Sequence, residues 1–112
     1  MTHDAVVAEL MARARLANVL SHYCGRAHLC GGDRGAPDLL CVGPYVAAFI
    51  EVKMPGSPGL SPAQVNWKHQ LRAAGMLHYV VGPECLITGQ ADRILHYLAT
   101  GDANPARLPD RM

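Results

Sequence analysis

Pro37-Asp38 and Glu51-Val52-Lys53 stand either side of a spacer of twelve residues, 39–50. Two carboxylates and a lysine in this order are what metal-assisted cleavage of a phosphodiester requires. Carboxylate oxygens hold a hard divalent cation such as Mg²⁺ or Mn²⁺. A bound cation of that kind polarises a phosphoryl oxygen and acidifies a water. A lysine beside the phosphate is a compact point charge that orients the water or offsets developing charge.

Those side chains need elements that bring them together. Residues 46–53 are almost continuously apolar, the mark of a strand covered on both faces. Residues two apart in a strand share a face, so Glu51 and Lys53 lie together, roughly 7 Å apart. Ile50 and Val52 then point into apolar packing, and the Val52 carbonyl is a further oxygen ligand. Residues 38–42 form a preceding strand, and the Gly43-Pro44 turn between the two makes them antiparallel neighbours. The hairpin brings Asp38 toward Glu51. Unpaired charge in so apolar a strand is costly, which favours a site over an ornamental ion pair.

Flanking elements follow from periodicity and punctuation. Val6, Leu10, Ala14, Ala17 and Leu20 predict a helix over 3–23, capped by Thr2 or by His3-Asp4 and ended at Gly25. Glu9 lies at the edge of that stripe and becomes a further carboxylate for the site if the helix packs across the sheet edge. Residues 27–30 read as a short strand and 31–35 as a loop. Ser61-Pro62-Ala63-Gln64 is a helix start with a capping box and a proline in the first turn. Trp67, Leu71 and Ala74 predict its buried stripe. Asn66, Lys68, His69, Gln70 and Arg72 predict its wet side, and Gly75 its end. Residues 76–81 are a third strong strand. A last helix opens at Thr88 or Gly89, carries Ala91, Ile94, Leu95 and Leu98, and closes at Gly101. The order predicts one α/β domain over 1–101, a small mixed sheet flanked by helices, with 102–112 as a loose tail.

Composition narrows the function classes. Of 112 residues, 50% are hydrophobic and 17% charged, which excludes wholesale disorder. A net charge of +1 supplies no global pull on nucleic acid, so any DNA contact needs a local patch such as Arg13/Arg15 or Lys68/Arg72. For the latter pair a phosphate contact and a plain wet face weigh equally. The N-terminus has no basic, apolar leader, and the run 45–50 is too short to span a bilayer. A cytoplasmic location is the expectation, with Cys24, Cys30, Cys41 and Cys85 reduced and mostly buried. His22, Cys24, His28 and Cys30 have zinc-ligand chemistry, but their spacing is not that of paired-ligand zinc motifs.

In order, Gly35-Ala36-Pro37-Asp38, Phe49-Ile50-Glu51-Val52-Lys53 and Leu60-Ser61-Pro62-Ala63-Gln64 resemble the VRR-NUC domain of the PD-(D/E)xK nuclease superfamily. The resemblance spans roughly residues 5–82. It implies a restriction-endonuclease-like core that cuts DNA with Mg²⁺ or Mn²⁺. Asp38, Glu51 and the Val52 carbonyl would bind metal, and Lys53 would be catalytic. Gln64 matches the family's glutamine near the site, although the capping box alone also explains it. Glu9 matches the acidic residue of the first helix. With no added domain visible, the chain resembles the short members that act as homodimers on branched DNA, in the manner of Holliday-junction resolvases. Ile94, Leu95 and Leu98 are the candidate dimer contact. Other readings are a DNA-binding module that keeps the fold without turnover, and a repair or restriction nuclease for nicked, flapped or duplex DNA.

Overall fold

The computed structural model describes residues 1–23, 35–102 and 105. The elements run α1 (His3–Leu16), β1 (Leu20–Tyr23), β2 (Leu39–Val42), β3 (Ala47–Val52), α2 (Pro62–Ala73), β4 (Leu77–Val81), α3 (Pro83–Thr88) and α4 (Gln90–Thr100). Among the described residues the strands make one four-stranded sheet in the order β1-β2-β3-β4. The first two pairings are antiparallel and β3–β4 is parallel, with α2 as the crossover. The sheet is mixed and flanked by helices, as the element order implies.

Each boundary has a local cause. The β2–β3 turn packs so closely on α4 that a Cβ at Gly43 would overlap the Leu98 carbonyl oxygen. Helix α2 starts at a complete capping box, with Ser61 as N-cap and Pro62 in the first turn. Helix α4 closes at Gly101 in the left-handed conformation, φ 77°. The core lies between the sheet and α1, α3 and α4, and includes Val6, Leu10, Ala14, Leu39, Ile50, Val52, Val81, Ile94, Leu95 and Leu98.

The structure departs from the sequence expectations in several places. Helix α1 stops at Leu16 rather than continuing to 23. Asn18 takes φ 60°, and the N–H groups of Asn18 and Val19 close back on the carbonyls of Arg15 and Ala14, at 3.1 and 2.8 Å. That is a Schellman stop with asparagine in place of the usual glycine. The following residues become edge strand β1, where Leu20 is 75% exposed instead of joining the helix stripe. Pro83 opens the short helix α3, which was not expected from the sequence between the third strong strand and the last helix.

Helix α2 is rotated from its expected facing. Lys68 is the residue it buries outright, 2% exposed, whereas Trp67 and Leu71 are half-buried and Ala74 is exposed. The first turn packs closely against Gly35, and at 2% exposure Lys68 has its charged head inside the fold as well as its stem. Lys68 is therefore not on the wet face it was expected to share with Arg72. Ile94, Leu95 and Leu98 are packed into this chain's own core, so they do not form a surface for a second copy. Cys41 and Cys85 are buried free thiols. The expected strand at 27–30, most of the loop at 31–35, three of the four zinc-type residues (Cys24, His28, Cys30) and most of the tail lie outside the described residues. Within the tail, Pro105 is buried. Among the described residues no helix is long and apolar enough to cross a membrane.

Candidate active site

The antiparallel register pairs Leu39 with Ile50. One step further along the same ladder sets Asp38 opposite Glu51. Both are buried, at 7% and 3% exposed, in a sheet whose other buried side chains are mostly apolar. Asp38 Oδ2 accepts the Val52 N–H at 2.8 Å. Lys53 N–H instead reaches across to the Val81 carbonyl at 2.9 Å. Along an extended strand, successive N–H and C=O pairs alternate sides. Val52 thus turns its carbonyl to the Asp38 side along with its N–H, while its side chain packs in the core.

Glu51 carries the electrostatic signature of the site. Burial is the main cause that pushes its carboxyl up to about 9, helped by a hydrogen bond with Asp38 and by that residue's negative charge. Lys53 acts in the opposite direction, pulling it down. The lysine charge is therefore felt at Glu51. Glu51 Oε1 is buried with no hydrogen-bond partner. A buried orphan oxygen in a carboxylate pair is the environment a hard cation would satisfy. Among the described residues no group of three His, Cys, Asp or Glu side chains is arranged to hold a metal ion by itself. The donor set is two carboxylates and a backbone carbonyl, which suits Mg²⁺ or Mn²⁺ with water completing the shell and does not suit a closed zinc site.

Gln64 is engaged in the helix cap: its Oε1 accepts the Ser61 N–H at 2.8 Å, and its own N–H donates to Ser61 Oγ at 3.2 Å. The same turn is pressed against the loop that carries Asp38. Gly35 has φ +86°, and a Cβ there would lie 2.7 Å from the Ala63 carbonyl carbon and 2.9 Å from Gln64 N. The Gly-x-Pro-Asp and Ser-Pro-x-Gln segments are thus in contact, so the helix start borders the site. Gln64 can serve the cap with its oxygen and present its amide NH₂ elsewhere.

Glu9 is held differently. Its Oε1 accepts from Arg13 Nε at 3.1 Å, and Arg13 continues to Asp92 Oδ2 at 3.1 Å and to the Leu86 carbonyl at 3.0 Å. It belongs to a network tying α1 to α3 and α4. Helix α1 does reach the site, but through His3, whose Nε2 is 3.4 Å from Asp38 Oδ2. The sequence reading had used His3 only as part of a helix cap, and Thr2 is the actual cap, accepting from Ala5 N at 3.1 Å.

Comparison of the sequence with family models and with curated proteins gives no match. A solved structure described as a VRR_NUC domain superposes with TM-score 0.65 and 26% identity, over 85% of this chain and 95% of that one. That likeness supports a VRR-NUC domain in this chain. Its mixed sheet with flanking helices is the restriction-endonuclease-like α/β core. The VRR-NUC likeness sets it among nuclease domains, with DNA as the partner such a domain implies.

Proposed function

We propose that this VRR-NUC domain is a Mg²⁺- or Mn²⁺-dependent DNA endonuclease that prefers branched DNA and works as a homodimer. The observation that carries the reading is the buried Asp38–Glu51 pair beside Lys53, with Glu51 Oε1 left unsatisfied. Asp38, Glu51 and the Val52 carbonyl would hold the ion. When bound, the ion supplies Lewis-acid polarisation of the phosphate and a more acidic water.

The chain's own groups do the rest. Glu51 would hold the ion as a carboxylate, since a cation's charge would offset the burial beside Asp38 that raises its affinity for a proton. Lys53, on the same face, holds a positive charge against the scissile phosphate and offsets charge that develops there. Gln64 keeps the helix start against the Asp38 loop and offers an amide donor to phosphate or water. Glu9 is assigned to the Arg13 network and not to the ion. Arg72 is exposed and remains a candidate contact to DNA backbone. The preference for branched DNA is carried over from the resemblance to the short VRR-NUC proteins that act in the manner of Holliday-junction resolvases. A dimer would add the paired active sites that symmetric cutting of a four-way junction needs.

The test is a panel of four-way-junction, flapped, nicked and plain duplex DNA, incubated with wild type and Glu51→Ala in Mg²⁺ or Mn²⁺. Junction cutting by wild type alone supports the proposal. Equal cutting of every substrate removes the branch preference. DNA binding without cutting in either metal identifies a non-catalytic module. A solution mass showing monomer alone removes the dimer.

A further inference from the structure

We infer that His3 is a positioning residue for Asp38: its ring holds one carboxylate oxygen so that the other is presented to the ion. This rests on the reading of Asp38 and Glu51 as ligands. Asp38 Oδ2 is engaged twice, by the Val52 N–H at 2.8 Å and by His3 Nε2 at 3.4 Å. Two donors from different elements on one oxygen fix the plane of the carboxylate. They leave Oδ1 as the oxygen that neither of these donors takes, in a group that also hydrogen-bonds Glu51. Partners of this kind, which touch a ligand and not the ion, set ligand orientation.

The anchoring of His3 suits the task. It is the first residue of α1, directly after the Thr2 cap. Tyr23 OH donates to the neighbouring Asp4 at 3.2 Å and ties the helix start to β1. Val6 and Val7, a turn further on, are buried in the core. The imidazole is therefore delivered to Asp38 from a fixed helix end, across 35 residues of sequence. A neutral ring carrying its hydrogen on Nε2 is enough, so no change of charge is needed. Glu9, six residues on, lies about 9 Å further along the helix axis and serves the Arg13 network.

The experiment is Mn²⁺ binding, followed by loss of the free-ion electron paramagnetic resonance signal, in wild type, His3→Leu and His3→Gln. Leucine keeps bulk without a donor, and glutamine restores an N–H at similar reach. The expected result is a 10- to 100-fold weaker Mn²⁺ affinity in His3→Leu, about the usual cost of losing such a partner. His3→Gln should recover most of that affinity. Wild-type affinity in His3→Leu would overturn the role of His3 and leave the metal site standing. So would equal weakening in both variants, since a donor would then not matter. A wild type that binds no Mn²⁺ would remove the metal site, and this inference with it.

Discussion

The Asp38 carboxylate accepts the backbone N–H of Val52 at 2.8 Å, so a residue at the start of one strand closes the ladder of the next. The bond is structural as well as functional, and the two parts can be separated. Asp38→Ala strands a buried N–H, which costs roughly 1–3 kcal/mol. Asp38→Asn keeps an oxygen for that N–H and should stay closer to wild-type stability. Both should lose divalent-ion binding. Urea denaturation alongside metal titration checks this, and equal destabilisation by the two variants would show that the Val52 bond contributes little.

Glu51 predicts how metal-free stability depends on pH. Its carboxyl is raised from 4.5 to about 9, so between those values the folded chain retains a proton that the unfolded chain has released. Stability from this group is fully present below the unfolded value and is lost as pH rises toward the folded one. The unfolding midpoint in chelator should fall across that window, and Glu51→Gln should flatten the fall. Near neutral pH, Mn²⁺ binding should release about one proton per site. Calorimetry in buffers of different ionisation enthalpy reads that number directly, and no release would contradict a protonated Glu51.

Gly35→Ala should disturb the site from a distance. The new Cβ would press on Ala63 and Gln64 N, from a backbone at φ +86°. Strain of this kind costs about 1–3 kcal/mol. The loop carrying Asp38 must then move off the start of α2, weakening metal binding as well as folding. Denaturation and Mn²⁺ affinity should fall together, and a stability loss with unchanged affinity would uncouple the loop from the site.

Gln64→Glu distinguishes capping from chemistry. Glutamate completes a capping box as well as glutamine does. The variant should unfold near the wild-type midpoint, yet cleave more slowly, because the amide donor is replaced by a negative charge near the phosphate. Wild-type cleavage rates in this variant would reduce Gln64 to its cap.

Legibility followed the strength of local signals. The β2–β3 hairpin could be read from a Gly-Pro turn between apolar runs, and α2 from Ser61-Pro62 with Gln64, because those residues act on neighbours in sequence. The end of α1 was hidden because Ala17 and Leu20 continue the helical spacing and the stop, Asn18, is a quieter residue than glycine. Lys68 was misplaced because a charged residue type predicts the wet face of a helix, whereas here the lysine is buried. The apolar stripe of α4 is real, but core and interface look alike in sequence, and here it is core. Strand parity predicts one face for Glu51 and Lys53, and the lysine's charge does act on Glu51. The contact of His3 with Asp38 spans 35 residues and left no local trace.

The most direct test of the metal-dependent nuclease is single-turnover DNA cleavage by wild type and Glu51→Gln, with and without Mn²⁺, on preparations shown to be equally folded. Glutamine keeps the size of Glu51 and removes the charge. The expected result is cleavage by wild type only when Mn²⁺ is present, and a loss on the order of 100-fold or more in Glu51→Gln. Cleavage by wild type in excess chelator, or an equal rate in Glu51→Gln, would contradict it.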